Sequence, residues 1–355
     1  MTATPMTPAM SSPSDPQSPP RQRETDPSTL FAGASQGDRV ALARLLTLVE
    51  RGGPPSRAVA ALSYRSARDA LTVGVTGPPG AGKSTLVDRL IATARAEGVA
   101  QLGVLAVDPS SPFTGGAILG DRVRMQDHAL DAGVYIRSMA SRGHLGGLAA
   151  AVPEAIRVLA AVGFPLLLVE TVGVGQVEVE VAGATDTTVV VLNPKWGDAV
   201  QANKAGLLET ADLFVINKAD MPGAGQSRRD LEQMLDLTAL GDWRPVVLET
   251  SATSGEGVGA LWEEIGRHQR HLEEHGGLER RRATRLEREF QIVLGARIKS
   301  EVDRLSAQGE FADLARDVAE HRLDPYDAAD RLLDAVSSRL TGSGPATPTG
   351  NSASD

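Results

Sequence analysis

The 355-residue chain contains no cysteine. That excludes disulfides, thiolate metal centres and a cysteine nucleophile, and leaves the compartment undetermined by redox. Positive charge is also in short supply: 36 lysines and arginines face 45 aspartates and glutamates, a net charge of −9. Non-specific nucleic-acid binding needs a basic face, so that class is disfavoured. No apolar run approaches the ~20 residues that span a bilayer. The opening stretch MTATPMTPAMSSPSDPQSPP has neither an apolar core nor an arginine, so it reads as a tail rather than a signal or transit peptide. A soluble, cytoplasmic protein is the expectation. What the chain does have is 41% hydrophobic residues, ample for a core.

Composition divides the chain. Residues 1–27 and 341–355 are rich in Pro, Ser, Thr and Gly and read as disordered tails. Residues 28–70 form a helical extension: Asp38 is placed to cap a helix carrying Leu42, Leu45, Leu46 and Val49 on one face, ended by Gly52-Gly53-Pro54-Pro55. From 71 to 266, short apolar runs alternate with helical stretches: LTVGVT, LGVLAV, PLLLVE, TTVVVL, LFVINK and PVVLET. Near-continuous apolar runs suit strands buried on both faces. The fold class that follows is α/β, a doubly wound, mostly parallel sheet flanked by helices. Residues 267–340 read as a helical C-terminal extension. There Leu286, Phe290, Leu294, Ile298, Val302 and Leu305 step by three or four, a stripe that needs a cover. Packing on the parent domain and a homodimer interface serve equally well.

Gly77-Pro78-Pro79-Gly80-Ala81-Gly82-Lys83-Ser84 fits G-x-x-x-x-G-K-[ST] in full. An apolar run precedes it and a helical stretch from Ser84 follows, as a P-loop NTPase requires. Glycines let backbone N–H groups converge on phosphate oxygens, and the helix N-terminus adds partial positive charge. Lys83 is expected at the β- and γ-phosphates, the Ser84 hydroxyl on Mg²⁺, and Thr85 beside the α-phosphate.

The base is indicated further on. Asn217-Lys218-Ala219-Asp220 fits N-K-x-D. Asp220 can accept two hydrogen bonds from guanine N1–H and the 2-amino group, and adenine offers no such pair. The Lys218 stem can lie over the base while Asn217 ties loops together. Alone, four residues also describe an ordinary turn; after a phosphate loop they select GTP, because the wrong base leaves buried groups unpaired. Ser251-Ala252-Thr253 suits the loop that offers backbone N–H groups to guanine O6.

Three carboxylates fall at strand ends or in loops on the phosphate side: Asp108 after LGVLAV, Asp121 in GGAILGD, and Glu170, which opens Glu170-Thr171-Val172-Gly173. Ligands of parallel sheets gather at that edge, and Mg²⁺ takes oxygen ligands while keeping several waters. Glu170 stands where many such enzymes have the aspartate of D-x-x-G, and its extra methylene favours contact through water. Gly173 can sense the γ-phosphate through its N–H. Asp108 is a candidate for positioning the attacking water; loop capping or salt bridging is the plainer reading of Asp108 and Asp121. His268, His271 and His275 share one helical row, which reads better as a solvated face than as a metal site.

The strings VGVTGPPGAGKSTL, AVDPSSPFTGGAILGDRVRM, IRSMASRGHLGGL, LVETVGVGQVEVEVAGATDT and FVINKADMPGA resemble the MeaB/ArgK family of GTPases, relatives of the human methylmalonic aciduria type A protein. The likeness covers about residues 30–340. It implies a homodimeric GTPase that chaperones an adenosylcobalamin-dependent acyl-CoA mutase, typically methylmalonyl-CoA mutase, gating cofactor loading and protecting the enzyme. By motif match, Gly77–Thr85 is the phosphate loop, and Ser84, Asp108, Asp121 and Glu170 are the Mg²⁺ neighbourhood. Asn217, Lys218 and Asp220 hold the base with Ser251, Ala252 and Thr253. LNPKWGDAVQANKAG matches a mobile family segment, but Lys195-Trp196 stands where many relatives have a Gly-rich stretch. Gln176 lies near, though not at, the place of a water-orienting glutamine. A nickel-delivery GTPase and a small-molecule kinase are the competing classes; zero cysteines and the N-K-x-D motif count against them.

Overall fold

The computed structural model describes residues 26–66, 69–109, 128, 130–141, 147–171, 183–194, 210–238, 241–306 and 310–340. Three helices come first: α1 (Pro27–Ser35), α2 (Arg39–Arg51) and α3 (Gly53–Arg65). Asp38 caps α2 as its sequence suggests, accepting from the N–H groups of Val40 at 2.8 Å and Ala41 at 3.1 Å. Leu42, Leu45, Leu46 and Val49 are buried on one face. Gly52, in a left-handed conformation, ends α2, but the chain turns directly into α3. Prolines in the first turn of a helix have no N–H to lose there, so Gly53-Pro54-Pro55 starts a helix as well as stopping one.

The sheet has seven strands: β1 (Leu71–Thr76), β2 (Leu102–Pro109), β3 (Val134–Ser141), β4 (Leu166–Thr171), β5 (Thr187–Leu192), β6 (Leu213–Asn217) and β7 (Val246–Thr250). Their order is β3-β2-β4-β1-β5-β6-β7, and every described pairing is parallel. Helices α4 (Lys83–Ala96), α5 (Gly147–Val162), α6 (Ala224–Asp236) and α7 (Val258–Glu274) cover the two faces. Alternate residues of single strands enter opposite cores. Leu166 and Leu168 join Leu86, Leu90 and Ile91 of α4, while Leu167 and Val169 join α2 and α5. Val189 and Val191 meet the α4 side, and Val190 and Leu192 meet α6. That is why these strands read as continuous apolar runs.

Strand β3 is the one the apolar-run reading missed. Its sequence VYIRSMAS is interrupted by Arg137 because it lies at the sheet edge. Arg137 leaves the edge to pair with Glu50 of α2 at 2.7 Å.

Beyond the sheet come α8 (Gly277–Ser306), α9 (Glu310–Ala319) and α10 (Pro325–Leu340). Helix α7 runs through residue 266 without a break to Glu274, and Gly276 lies between it and α8. The start of α8 is bolted to the entering edge of the sheet. Arg281 pairs with Asp212 at 2.7 Å, and Arg285 with Asp186 at 2.9 Å. Burial alone pushes both carboxyls up; Arg285 and Arg282 more than reverse this for Asp186, and His268 and Arg281 do so for Asp212, holding both below the ordinary value.

His268 corrects the histidine reading. It is fully buried, with Nδ1 2.8 Å from Thr187 Oγ1 and Nε2 3.3 Å from Asp212. His271 and His275 stack on each other, ring centroids 4.4 Å apart. Farther along α8, Leu286, Phe290, Leu294 and Ile298 are exposed in the single chain. No helix among the described residues is long and apolar enough to cross a membrane.

Candidate guanine-nucleotide site

Strand β1 is the middle strand, and the chain leaves it directly into the phosphate loop. The glycines there are geometric necessities. Gly77 has φ +136°, and a Cβ on it would stand 2.0 Å from the Val191 carbonyl oxygen of β5. Gly82 has φ +91°, and its Cβ would meet Asn217 Nδ2 at 2.4 Å. Side chains at either place would push the loop off its neighbours. Gly82 leads into α4, whose first residues are Lys83 and Ser84. Both are buried. Lys83 Nζ donates to the carbonyls of Gly77 at 2.7 Å and Pro78 at 3.0 Å, so it curls back over the loop it belongs to. Thr85 is exposed.

Strand order brings the carboxylates near. β4 lies between β1 and β2, and its end carries Glu170, which is buried. The Ser84 hydroxyl donates to Glu170 Oε1 at 2.5 Å. Glu170 thus meets Ser84 directly, its side chain spanning from strand to helix. Thr171 next to it donates to Thr76 Oγ1 at 3.0 Å, joining β4 to β1 just below the loop. Asp108 is at the end of β2, one residue beyond the Val107–Thr171 register pair. Its side chain, and all of Asp121, Gly173, Gln176 and Lys195-Trp196, lie outside the described residues.

The base motif ends β6. Asn217 is buried and holds three segments at once: Nδ2 donates to Ala81 O at 2.8 Å, and Oδ1 accepts from Thr250 Oγ1 and from Ala252 N, both at 3.1 Å. The expectation that it ties loops together holds in detail. Lys218 has φ +59°, a left-handed conformation that costs a side-chain-bearing residue about 1–2 kcal/mol. That backbone turn sends Nζ to the Gly80 carbonyl at 2.7 Å. Asp220 is exposed and accepts from Ser251 Oγ at 2.9 Å, and Ser251 also meets Thr253 Oγ1 at 3.2 Å. Phosphate loop, N-K-x-D and Ser251–Thr253 thus form one hydrogen-bonded assembly. Thr250 and Thr76 were missed from sequence. The signal was there, a threonine closing an apolar strand; Thr250 stands in register with Asn217.

A family model described as methylmalonyl Co-A mutase-associated GTPase MeaB matches residues 42–306. The chain belongs to the MeaB family. Among relatives of this MeaB chain, a Pyrococcus abyssi protein named as a GTPase is 50% identical over 312 residues, 86% of this chain and 96% of that one. The mouse (Mus musculus) methylmalonic aciduria type A homolog, mitochondrial by name, is 35% identical over 334 residues, 87% of this chain and 79% of its own length. A solved structure titled LAO/AO transport system kinase superposes with a TM-score of 0.65 at 27% identity, covering 88% of this chain and 97% of that one. The chain is therefore a GTPase of the P-loop class.

Proposed function

We propose that this GTPase binds and hydrolyses GTP with Mg²⁺ to time adenosylcobalamin loading, and to protect an acyl-CoA mutase, methylmalonyl-CoA mutase foremost, working as a cytoplasmic homodimer. The observation that carries the nucleotide reading is Asn217 and Lys218 joining the base motif to the phosphate loop; the family's name supplies the mutase. In this reading the N–H groups of Gly77–Thr85 and the Lys83 ammonium hold the phosphates. Asp220 reads the guanine N1–H and amino group, with Ser251, Ala252 and Thr253 beside O6.

Ser84 Oγ and Glu170 Oε1 are hard oxygen donors brought together at a helix start, which fits Mg²⁺. Asp108 and Asp121 complete its neighbourhood. Bound there, the ion would supply positive charge against the phosphate oxygens. Lys83 opposes charge that develops on the phosphates during transfer, Asp108 positions the attacking water, and Gly173 senses the γ-phosphate. Residues 267–340 form the dimerisation extension, with the exposed α8 stripe at its centre.

The partner test mixes the protein with each adenosylcobalamin-dependent mutase of its source organism, in GDP or in a non-hydrolysable GTP analogue, and measures complex formation. Nucleotide-dependent binding to a mutase is expected. Failure to bind every one of them overturns the chaperone reading and leaves the GTPase standing.

A further inference from the structure

We propose that Arg89 is a positioning residue for the guanine base, setting the angle at which the Ser251–Thr253 loop presents its N–H groups. The inference rests on the base reading above.

Arg89 lies on α4, in the second turn after Lys83 and Ser84. Its guanidinium crosses to the loop after β7. Nε donates to the Ala252 carbonyl at 3.0 Å and Nη2 to the Thr253 carbonyl at 2.9 Å. Among the described residues it pairs with no carboxylate, so a full positive charge is committed to two neutral, adjacent carbonyls. A planar guanidinium fork fixes two acceptors in one orientation, which a single ammonium does not.

The consequence follows from peptide planarity. In a trans peptide the C=O and the next residue's N–H point opposite ways. Holding Ala252 O toward α4 therefore aims the Thr253 N–H away from α4, and holding Thr253 O does the same for the Ser254 N–H. Two further ties run to the base motif, while Ser251 also closes the loop on itself, its N–H donating to Glu256 O and its carbonyl accepting from Gly255 N. Ser251 Oγ donates to Asp220 at 2.9 Å, and Ala252 N to Asn217 Oδ1 at 3.1 Å. The loop is thus gripped between N-K-x-D on one side and the phosphate-loop helix on the other. Among the described residues, Arg89 supplies the hydrogen bonds of the second grip, and Ala252 lies in the apolar cluster that includes Leu86 and Leu90 of α4. Guanine carries an acceptor at position 6 where adenine carries a donor. A loop whose N–H groups lose their angle loses that distinction, so Arg89 acts on specificity through the loop without touching the base.

The test compares Arg89→Ala, Arg89→Lys and Asp220→Asn with the parent by steady-state kinetics on GTP, ATP and xanthosine triphosphate. Loss of two charge-assisted hydrogen bonds predicts that Arg89→Ala raises KM for GTP about tenfold. It should leave kcat at saturation within about twofold and narrow the preference for GTP over ATP by about the same tenfold. Arg89→Lys recovers part of the loss, since one bond is retained. If Arg89→Ala does not fold, Arg89→Gln carries the same comparison. A uniform loss on GTP and ATP, or a fall in kcat with KM unmoved, would show Arg89 to be merely structural and overturn the proposal. So would an unchanged KM for GTP in Arg89→Ala while Asp220→Asn switches to xanthosine triphosphate, a result that leaves the base reading intact. If Asp220→Asn moves neither nucleotide, the base reading itself fails and the Arg89 proposal with it.

Discussion

Single side chains set the nucleotide choice. Asp220→Asn replaces an acceptor by an amide, which matches xanthine better than guanine. Affinity for GTP should drop at least about 100-fold and xanthosine triphosphate should gain; equal GTP affinity in a titration would remove Asp220 from base recognition. At Gly82 the constraint is steric. A methyl group there would land 2.4 Å from Asn217 Nδ2 on a backbone at φ +91°. Gly82→Ala should therefore cost at least about 1–3 kcal/mol of stability together with nucleotide binding; an unchanged melt would contradict it. Both motifs were readable in the sequence because each is contiguous and its spacing is fixed by the chemistry it serves. The direct Ser84–Glu170 bond was not readable: the partners lie 86 positions apart, and only the strand order brings them together. Arg89 was invisible for the same reason, its acceptors lying 163 and 164 positions away.

At the scale of elements, continuity of apolar character located six of the seven strands. β3 escaped because an edge strand needs only one partner and tolerates Arg137. α2 was legible because Asp38 and its apolar row are local signals. Asp38→Ala should lower stability by about 1 kcal/mol, measured by urea unfolding; no loss would mean that the cap is idle. The contact of α3 with α5 titrates. Burial pushes the Glu154 carboxyl up to about 7, against the opposing Ser56 hydrogen bond and Arg157 charge. Both its oxygens accept from Ser56, at 3.1 and 3.2 Å. A carboxyl that holds its proton more tightly folded than unfolded makes the native state bind more protons between the ordinary value of 4.5 and about 7. Its contribution to stability is thus present below that window and is lost as pH rises through it. Glu154→Gln, permanently neutral, should gain melting temperature relative to the parent at pH 8 and not at pH 4. Parallel melting curves across that range would refute the assignment.

For the molecule as a whole, the stripe on α8 is the feature to be explained. Phe290, Leu294 and Ile298 are exposed in one chain, on a helix of 30 residues that is ~45 Å long. Sequence periodicity revealed the stripe but not what covers it, since covering depends on surfaces from elsewhere. Phe290→Glu with Leu294→Glu should convert a dimer to a monomer in light scattering, with GTP turnover per chain retained. A dimer that survives both charges would place the interface elsewhere.

The anchoring of α8 has a mechanical consequence. Asp212 precedes β6 and Asn217 closes it, a strand of five residues and so ~17 Å in length. Of the arginines crowded at 280, 281, 282, 285 and 288, three have their charge met at this end of the sheet by Asp186 and Asp212, a strand length from Asn217. The anchor of α8 and the Asn217 tie to the phosphate loop thus stand at opposite ends of β6, so a substitution at Arg281 can loosen the one without removing a hydrogen bond of the other.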